Sequence, residues 1–397
     1  MTRTLKLTSR MDAVQAPIVA VIGEMIRRTP GTISLGQGVV HYGPPQAALD
    51  AVRASLAHPA THEYQDGNGL PALVDRLTVK LRDENGIDPS LGGVVMVTAG
   101  ANMAFMHAVF AITMPGDEII MNVPFYFNHE MAVQMAGCTA VGVATDEHYQ
   151  PRLHALGRAI TDRTRAIVTV SPNNPSGAVF GGDAIRAVNA LCRERGLYHI
   201  TDEVYEYFTY GSARHVSAGA FPLAADHTIS MFSLSKAFGF AGWRLGYMVY
   251  PAHLQSAMAK SQDTILVCPP VASQMAAIAA LDVGRSYCEP YVRELADIRD
   301  SVVSQLAALA PLATVPAADG AFYVLLKVHA DVDPMRVAER LIRDHKVAVI
   351  PGPAFGMTDG CYFRVAYGAL QKETVAEGIG RLVRGLKEIL RFEDLRI

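Results

Sequence analysis

The sequence is poor in the features that mark several functional classes. Its five cysteines, Cys138, Cys192, Cys268, Cys288 and Cys361, are scattered, odd in number and never spaced as CxxC. That pattern speaks against a disulfide framework or a zinc site and implies reduced thiols in a cytoplasmic protein, with no metal expected. Neither GxGxxG nor GxxxxGK[ST] occurs, so dinucleotide and nucleoside-triphosphate sites of those kinds lack support. An excess of charge is missing too. The 35 Lys and Arg against 38 Asp and Glu leave a net charge of −3, which gives no electrostatic reason to expect a nucleic-acid or acidic-membrane partner. Long apolar runs are few. Near the N-terminus Asp12, Gln15 and Glu24 interrupt the apolar stretch, so it does not read as a signal peptide. The run "VVMVTAGANMAFMHAVFAITM" (94–114) has the length of a membrane span. Yet β-branched residues precede "TAGAN" and helix formers follow it, so a strand, a glycine turn and a helix are expected instead.

What is present is the composition of a folded enzyme. A chain of 397 residues, half of them hydrophobic and 18% charged, is long enough for two domains. Between residues 94 and 250, short β-rich runs alternate with helix-like segments: "VVMVT", "EIIMNV", "TAVGVA", "RAIVTVS", "YHITD", "TISMFS" and "RLGYMVY". Such alternation implies βαβ units and an α/β fold with a largely parallel, seven-stranded sheet covered by helices on both faces. The helix-like segments "SQMAAIAAL" and "YVRELADIRDSVVSQLAAL" follow, then strand-like "AFYVLLKV", "VAVIP" and "YFRVAYG". We expect a large domain over 51–289 and a smaller α+β domain built from 1–50 and 290–397.

Parallel sheets collect their chemistry at the carboxyl ends of their strands, and four segments with unusual residues fall there. "TAGAN" (98–102) sits at a strand-to-helix turn whose free N–H groups suit a phosphate, although an ordinary turn fits equally. In "SPNNPSGAVF" (171–180) a tight loop offers the Asn174 amide. In "TDEVYEYF" (201–208) Asp202 ends an apolar strand and needs a partner; it shares a ligand with Tyr205 only if the chain turns between them. In "SLSKAFGFAGWRLGY" (233–247) a lysine follows a strand and Arg244 follows a glycine-rich turn. Arginine grips phosphate or carboxylate with two parallel bonds, and a desolvated lysine has a free amine able to form a Schiff base. An anion cradle, a lysine amine, a buried carboxylate and amide and phenol donors together match the needs of pyridoxal 5'-phosphate.

With "GQG" (36–38), "PFYFNH" (124–129), "NNPSG" (173–177) and "YFRVAYG" (362–368) in the same order, the sequence resembles the fold type I, class I/II aminotransferases over essentially its whole length. It is most similar to a plant-type group acting on aromatic amino acids and methionine, through "SLGQGVVHYGPPQ", "VTAGANMAF", "PFYFN" and "VYEYF". The resemblance implies roles for particular residues. Lys236 would hold the cofactor's aldehyde and then move the proton, Asp202 would pair with the ring nitrogen, and His129 would support Asp202 from behind. Asn174 and Tyr205 would hold the phenolic oxygen, and Tyr126 would stack on the ring. The phosphate would lie among Ala101, Asn102, Ser233, Ser235 and Arg244. Tyr64 would reach the phosphate of a neighbouring subunit, making a homodimer the working unit. Arg364 would grip the α-carboxylate of the amino acid or 2-oxo acid substrate beside Gly38 and Asn174. His41 and Tyr42, in place of the family's commoner "PDF" pattern, are candidates for the substrate entrance.

In dicarboxylate-specific relatives a neighbouring-subunit arginine lies shortly before a Pro-Pro pair and binds the distal carboxylate; the comparable stretch here, "SQDTILVCPPV", carries Asp263. A carboxylate there repels a dicarboxylate, so the expectation is an aromatic or methionine-like donor, with a basic donor, able to pair with Asp263, left open. An aspartate-type aminotransferase, and lyase or oxidase-type chemistry on the same scaffold, remain the alternatives. Residues 1–31, before "TISLGQG", are too few for the DNA-binding module of a related regulator.

Overall fold

The computed structural model describes residues 9–393. All seven β-rich runs form strands of one sheet, in the order Gly93–Thr98, Gly246–Pro251, Thr228–Ser233, Tyr198–Asp202, Thr164–Val170, Glu118–Val123 and Thr139–Ala144. Six of them share one direction, and Gly246–Pro251 runs antiparallel to both neighbours. The alternation along each strand explains why both faces are covered. Met96, Ile119, Met121, Val168 and Met231 enter one core with Phe105 and Val133, from the helices Ala101–Ile112 and Phe127–Met135. Val95 and Val97 enter the opposite core with Leu73 and Leu77, while Ile120 and Ile167 meet Val188 and Cys192 on that side. The run 94–114 therefore splits as its composition implies, into a strand, a turn at Gly100 and a helix. Among the described residues no helix is long and apolar enough to cross a membrane.

The helix-like segments form the helices Val271–Val283 and Glu289–Leu306. A second, antiparallel sheet pairs Tyr323–Val328 with Cys361–Ala366. One expected element differs from the observed one. "VAVIP" is not a single strand: Val347–Ala348 pairs in parallel with Ile33–Ser34, whereas Ile350–Pro351 joins Cys361–Ala366. The run is divided because its two halves serve different partners, and the first of them ties the early chain to the late one.

This topology brings the chemistry to one edge. The strands ending at Thr98, Val170, Asp202 and Ser233 deliver their following loops to the same side. The reversed strand begins there instead, with Gly246 paired to both Thr98 and Ser233, so Arg244 arrives at the same edge from the other direction.

Candidate active site

At that edge a cleft is lined by Ala101, Asn102, Tyr126, Asn174, Asp202, Tyr205, Ser233, Ser235, Lys236 and Arg244. Local structure explains how each arrives. Ser233 closes its strand and caps the one-turn helix Leu234–Ala237 by accepting from the Ser235 N–H at 3.1 Å. Lys236 thus stands on a rigid turn directly after the strand. Its amine donates to the Gly38 carbonyl at 2.6 Å. Burial, reinforced by the nearby Arg364 and Arg244 guanidiniums and opposed by Asp202, pushes its pKa down to about 8.

The helix Ala101–Ile112 starts at Gly100 (φ +81°) with no side-chain cap, so its first N–H groups have no acceptor within the helix. A Cβ at Gly100 would lie 2.5 Å from Arg244 Nη2; glycine lets the guanidinium approach this helix start. Arg244, itself at φ +51°, is steadied by donating to the Ala241 carbonyl at 3.0 Å. The cradle therefore joins backbone N–H groups, serine hydroxyls and a guanidinium, a donor set matched to a phosphate.

The strand Tyr198–Asp202 ends at the carboxylate, and the chain turns at once, so Asp202 and Tyr205 face the same cleft. Asp202 Oδ1 accepts from the Val204 N–H at 3.2 Å, and Oδ2 lies 3.2 Å from His129 Nε2. His129 is not in the cleft; it stands behind Asp202, its ring stacked on Phe105 at 4.0 Å. Burial raises the Tyr205 hydroxyl pKa well above its usual value and raises that of Tyr126 as well, with Asp202 adding to the second. Both phenols stay protonated at neutral pH and are available as donors. Asn174 Nδ2 reaches the Tyr205 hydroxyl at 3.5 Å, while its Oδ1 accepts from Arg364 Nη1 at 2.9 Å.

Arg364 is 2% exposed. Its second terminal nitrogen donates to the Gly36 carbonyl at 2.8 Å, and its Nε is buried without a hydrogen-bond partner. Arg364 and Asn174 are thus joined directly, while the Gly38 carbonyl is held by Lys236. Tyr42 behaves differently from the substrate contact expected of it. Its hydroxyl donates to the main-chain carbonyl of Lys236 at 2.9 Å and its ring stacks on Tyr291 at 3.9 Å, so it braces the lysine from outside the cleft. His41 lies 3.4 Å from Glu294. Tyr64 is 83% exposed and touches none of these groups, and Asp263 is exposed on the helix Gln255–Ile265.

Three participants were not foreseen from the sequence. Tyr323 places its hydroxyl 2.7 Å from that of Tyr205; the Gly36 carbonyl holds Arg364; Phe105 packs against His129. Tyr323 could have been found only through the pairing of Leu325 with Arg364, which places it on the arginine's face of the sheet two residues along.

The family model of the class I and II aminotransferases matches residues 30–382. Over 97% of both chains the sequence is 35% identical to an aromatic aminotransferase of Arabidopsis thaliana. It is 32% identical to an aspartate/prephenate aminotransferase of Thermus thermophilus, covering 96% of this chain and 98% of that one. Among solved structures, an aspartate aminotransferase double mutant of Thermus thermophilus superposes with a TM-score of 0.88 at 32% identity, covering 96% of this chain and all of that one. An aromatic aminotransferase of Pyrococcus horikoshii gives 0.85 at 31% identity, over 92% of this chain and 99% of that one. The chain belongs to the class I and II aminotransferases.

Proposed function

We propose that this aminotransferase works with pyridoxal 5'-phosphate and moves an amino group from an aromatic amino acid or methionine to a 2-oxo acid, alternating the two substrates at Lys236. The observation that carries the reading is the Lys236 amine sharing one cleft with the buried Asp202 carboxylate and an uncapped helix start. The donor set fits the cofactor at each of its polar ends. The buried, unpartnered Nε of Arg364 fits a substrate carboxylate arriving beside it.

When bound, pyridoxal phosphate supplies an aldehyde that condenses with amines and a protonated ring that draws electrons from the substrate. Ala101, Asn102, Ser233, Ser235 and Arg244 would hold the phosphate, and Asp202, with His129 behind it, would pair with the ring nitrogen. Tyr205 and Asn174 would donate to the phenolic oxygen, and Tyr126 would pack against the ring. Lys236, partly unprotonated near neutrality, takes and returns the proton at the substrate's α-carbon. Arg364 orients the α-carboxylate with Asn174 and the Gly38 backbone beside it, and Tyr42 holds Lys236 in place.

The aromatic part of the preference is supported by the name of the Arabidopsis relative, and in a dimer the exposed Asp263 of one chain would disfavour a second carboxylate at the other chain's site. Relatives named for aspartate keep the dicarboxylate reading as the competitor. We take the working unit to be a homodimer, with the exposed Tyr64 entering the partner's phosphate site, and each chain to divide into 51–289 and a smaller domain of 1–50 with 290–397. Free cysteines, four of them buried, accord with the cytoplasm. Borohydride reduction of the reconstituted protein followed by peptide mass spectrometry tests the cofactor assignment. It is expected to fix one cofactor mass on Lys236 and on no other residue; a label elsewhere, or none, refutes the assignment. Light scattering is expected to give twice the 42.7 kDa chain mass.

A further inference from the structure

Tyr323 touches three parts of the site at once. Its side chain is fully buried. Its hydroxyl lies 2.7 Å from the Tyr205 hydroxyl, and its ring meets that of Tyr205 edge-on with centroids 5.6 Å apart. The Arg364 guanidinium sits over the same ring at 4.8 Å. Where Gly38 passes, an added Cβ would stand 2.7 Å from the Tyr323 hydroxyl but 3.7 Å from the nearest ring carbon. The glycine is therefore required by the hydroxyl and not by the ring.

A proton inventory gives this contact a direction. Tyr205 has one proton to donate. Its oxygen already receives the Asn174 amide at 3.5 Å. If that proton is spent on Tyr323, nothing is left for a ligand in the cleft; if Tyr323 donates instead, the Tyr205 proton faces the cleft and is made more acidic by the bond its oxygen accepts. Tyr323 is held protonated by burial, its pKa raised to about 12, and can fill the donor's part.

We propose that Tyr323 is a positioning residue that donates to the Tyr205 hydroxyl and so aims the Tyr205 proton at the cofactor's phenolic oxygen. The inference rests on the cofactor assignment made above and extends it to a residue that touches neither phosphate nor ring nitrogen. Gly38 is then glycine partly because the strap carrying it must clear this hydroxyl.

The test uses holoenzyme reconstituted with pyridoxal phosphate and follows the visible absorbance against pH. Tyr323→Phe keeps the ring under Arg364 and removes only the donor. Losing it weakens Tyr205 as a donor, leaves the phenolic oxygen more basic and moves the absorbance midpoint upward by about half a pH unit, with kcat lower by about five-fold, the scale of one hydrogen bond. KM for the amino acid stays within about two-fold, because the Arg364 contact to the ring survives. Gly38→Ala is expected to be costly in the wild-type background and markedly less so beside Tyr323→Phe, where the clashing oxygen is gone. An unchanged or lowered midpoint, or equal costs of Gly38→Ala in both backgrounds, overturns the proposal. Failure of wild-type protein to take up the cofactor at all overturns the cofactor assignment, and the proposal with it, before any variant is compared.

Discussion

His129 Nε2 stands 3.2 Å from Asp202 Oδ2, and both side chains are almost sealed from solvent. A buried carboxylate aligned in this way has few substitutes for its partner, since the Val204 N–H is the other donor it has. His129→Leu is expected to weaken cofactor binding about ten-fold, the scale of one buried charge-assisted hydrogen bond. His129→Asn, which restores a donor, is expected to recover part of that loss. Fluorescence titration of apoprotein with the cofactor measures both, and equal affinity in His129→Leu and wild type would remove His129 from the site.

Lys236 carries a cost that the fold bears for the sake of reactivity. Its pKa in the folded chain is about 8 against an ordinary 10.5, so folding disfavours the charged form. The penalty is fully present below pH 8 and fades as pH rises towards 10.5. Lys236→Met is therefore expected to stabilise the apoprotein at pH 7 by about 2 kcal/mol, after the lost bond to the Gly38 carbonyl is offset. The gain is expected to vanish at about pH 9.5 and to be reversed at pH 10.5, where the lost hydrogen bond outweighs the remaining penalty. Denaturant unfolding of both apoproteins at about pH 7 and pH 10.5 checks the sign.

Arg364 has two of its nitrogens committed to Asn174 and Gly36 and a third unpartnered. Lysine in its place supplies neither the fork nor the reach. Arg364→Lys is expected to lower kcat/KM about a hundred-fold, mostly through KM, as for removal of one charge-assisted pair. Steady-state kinetics with a good donor reads this directly. Loss confined to kcat would contradict a carboxylate-binding role.

Acid sensitivity is expected to come from histidines away from the cleft. His107, held between Ser261 and Gln262, is pushed down to about 4 by burial, and His199 to about 3 by burial and then by His227. Both are neutral in the folded chain, whereas unfolding lets them take up protons below pH 6.5. Stability they support is present above pH 6.5 and is lost as pH falls towards 4. His107→Gln is expected to flatten that decline, measured as the melting temperature between pH 7 and 4.5.

Much of this was legible in the residues. Strand identity followed from β-branched runs between turn formers, and seven of them, Gly93–Thr98 to Gly246–Pro251, make one sheet. Lys236, Asp202, Asn174 and Arg244 stand in the cleft because each follows or precedes a strand end, a position that sequence can mark. What it could not mark depends on pairing between distant segments. Tyr323 looks like a core residue until Leu325 is found opposite Arg364. Tyr42 was a candidate for the substrate entrance because "VVHYGPP" stands in place of the family's commoner "PDF", and only the fold shows its hydroxyl donating to the Lys236 carbonyl. "VAVIP" reads as one strand, and only the competition of two partners divides it.

The most direct test of the account adds single amino acids, with no acceptor, to the reconstituted enzyme and follows its visible spectrum. The yellow absorbance is expected to give way to that of the amine form of the cofactor, fastest with tyrosine, phenylalanine or methionine and slowly with aspartate. Fastest conversion by aspartate would contradict the assigned substrate class, and a yellow enzyme that no amino acid converts would contradict transamination itself.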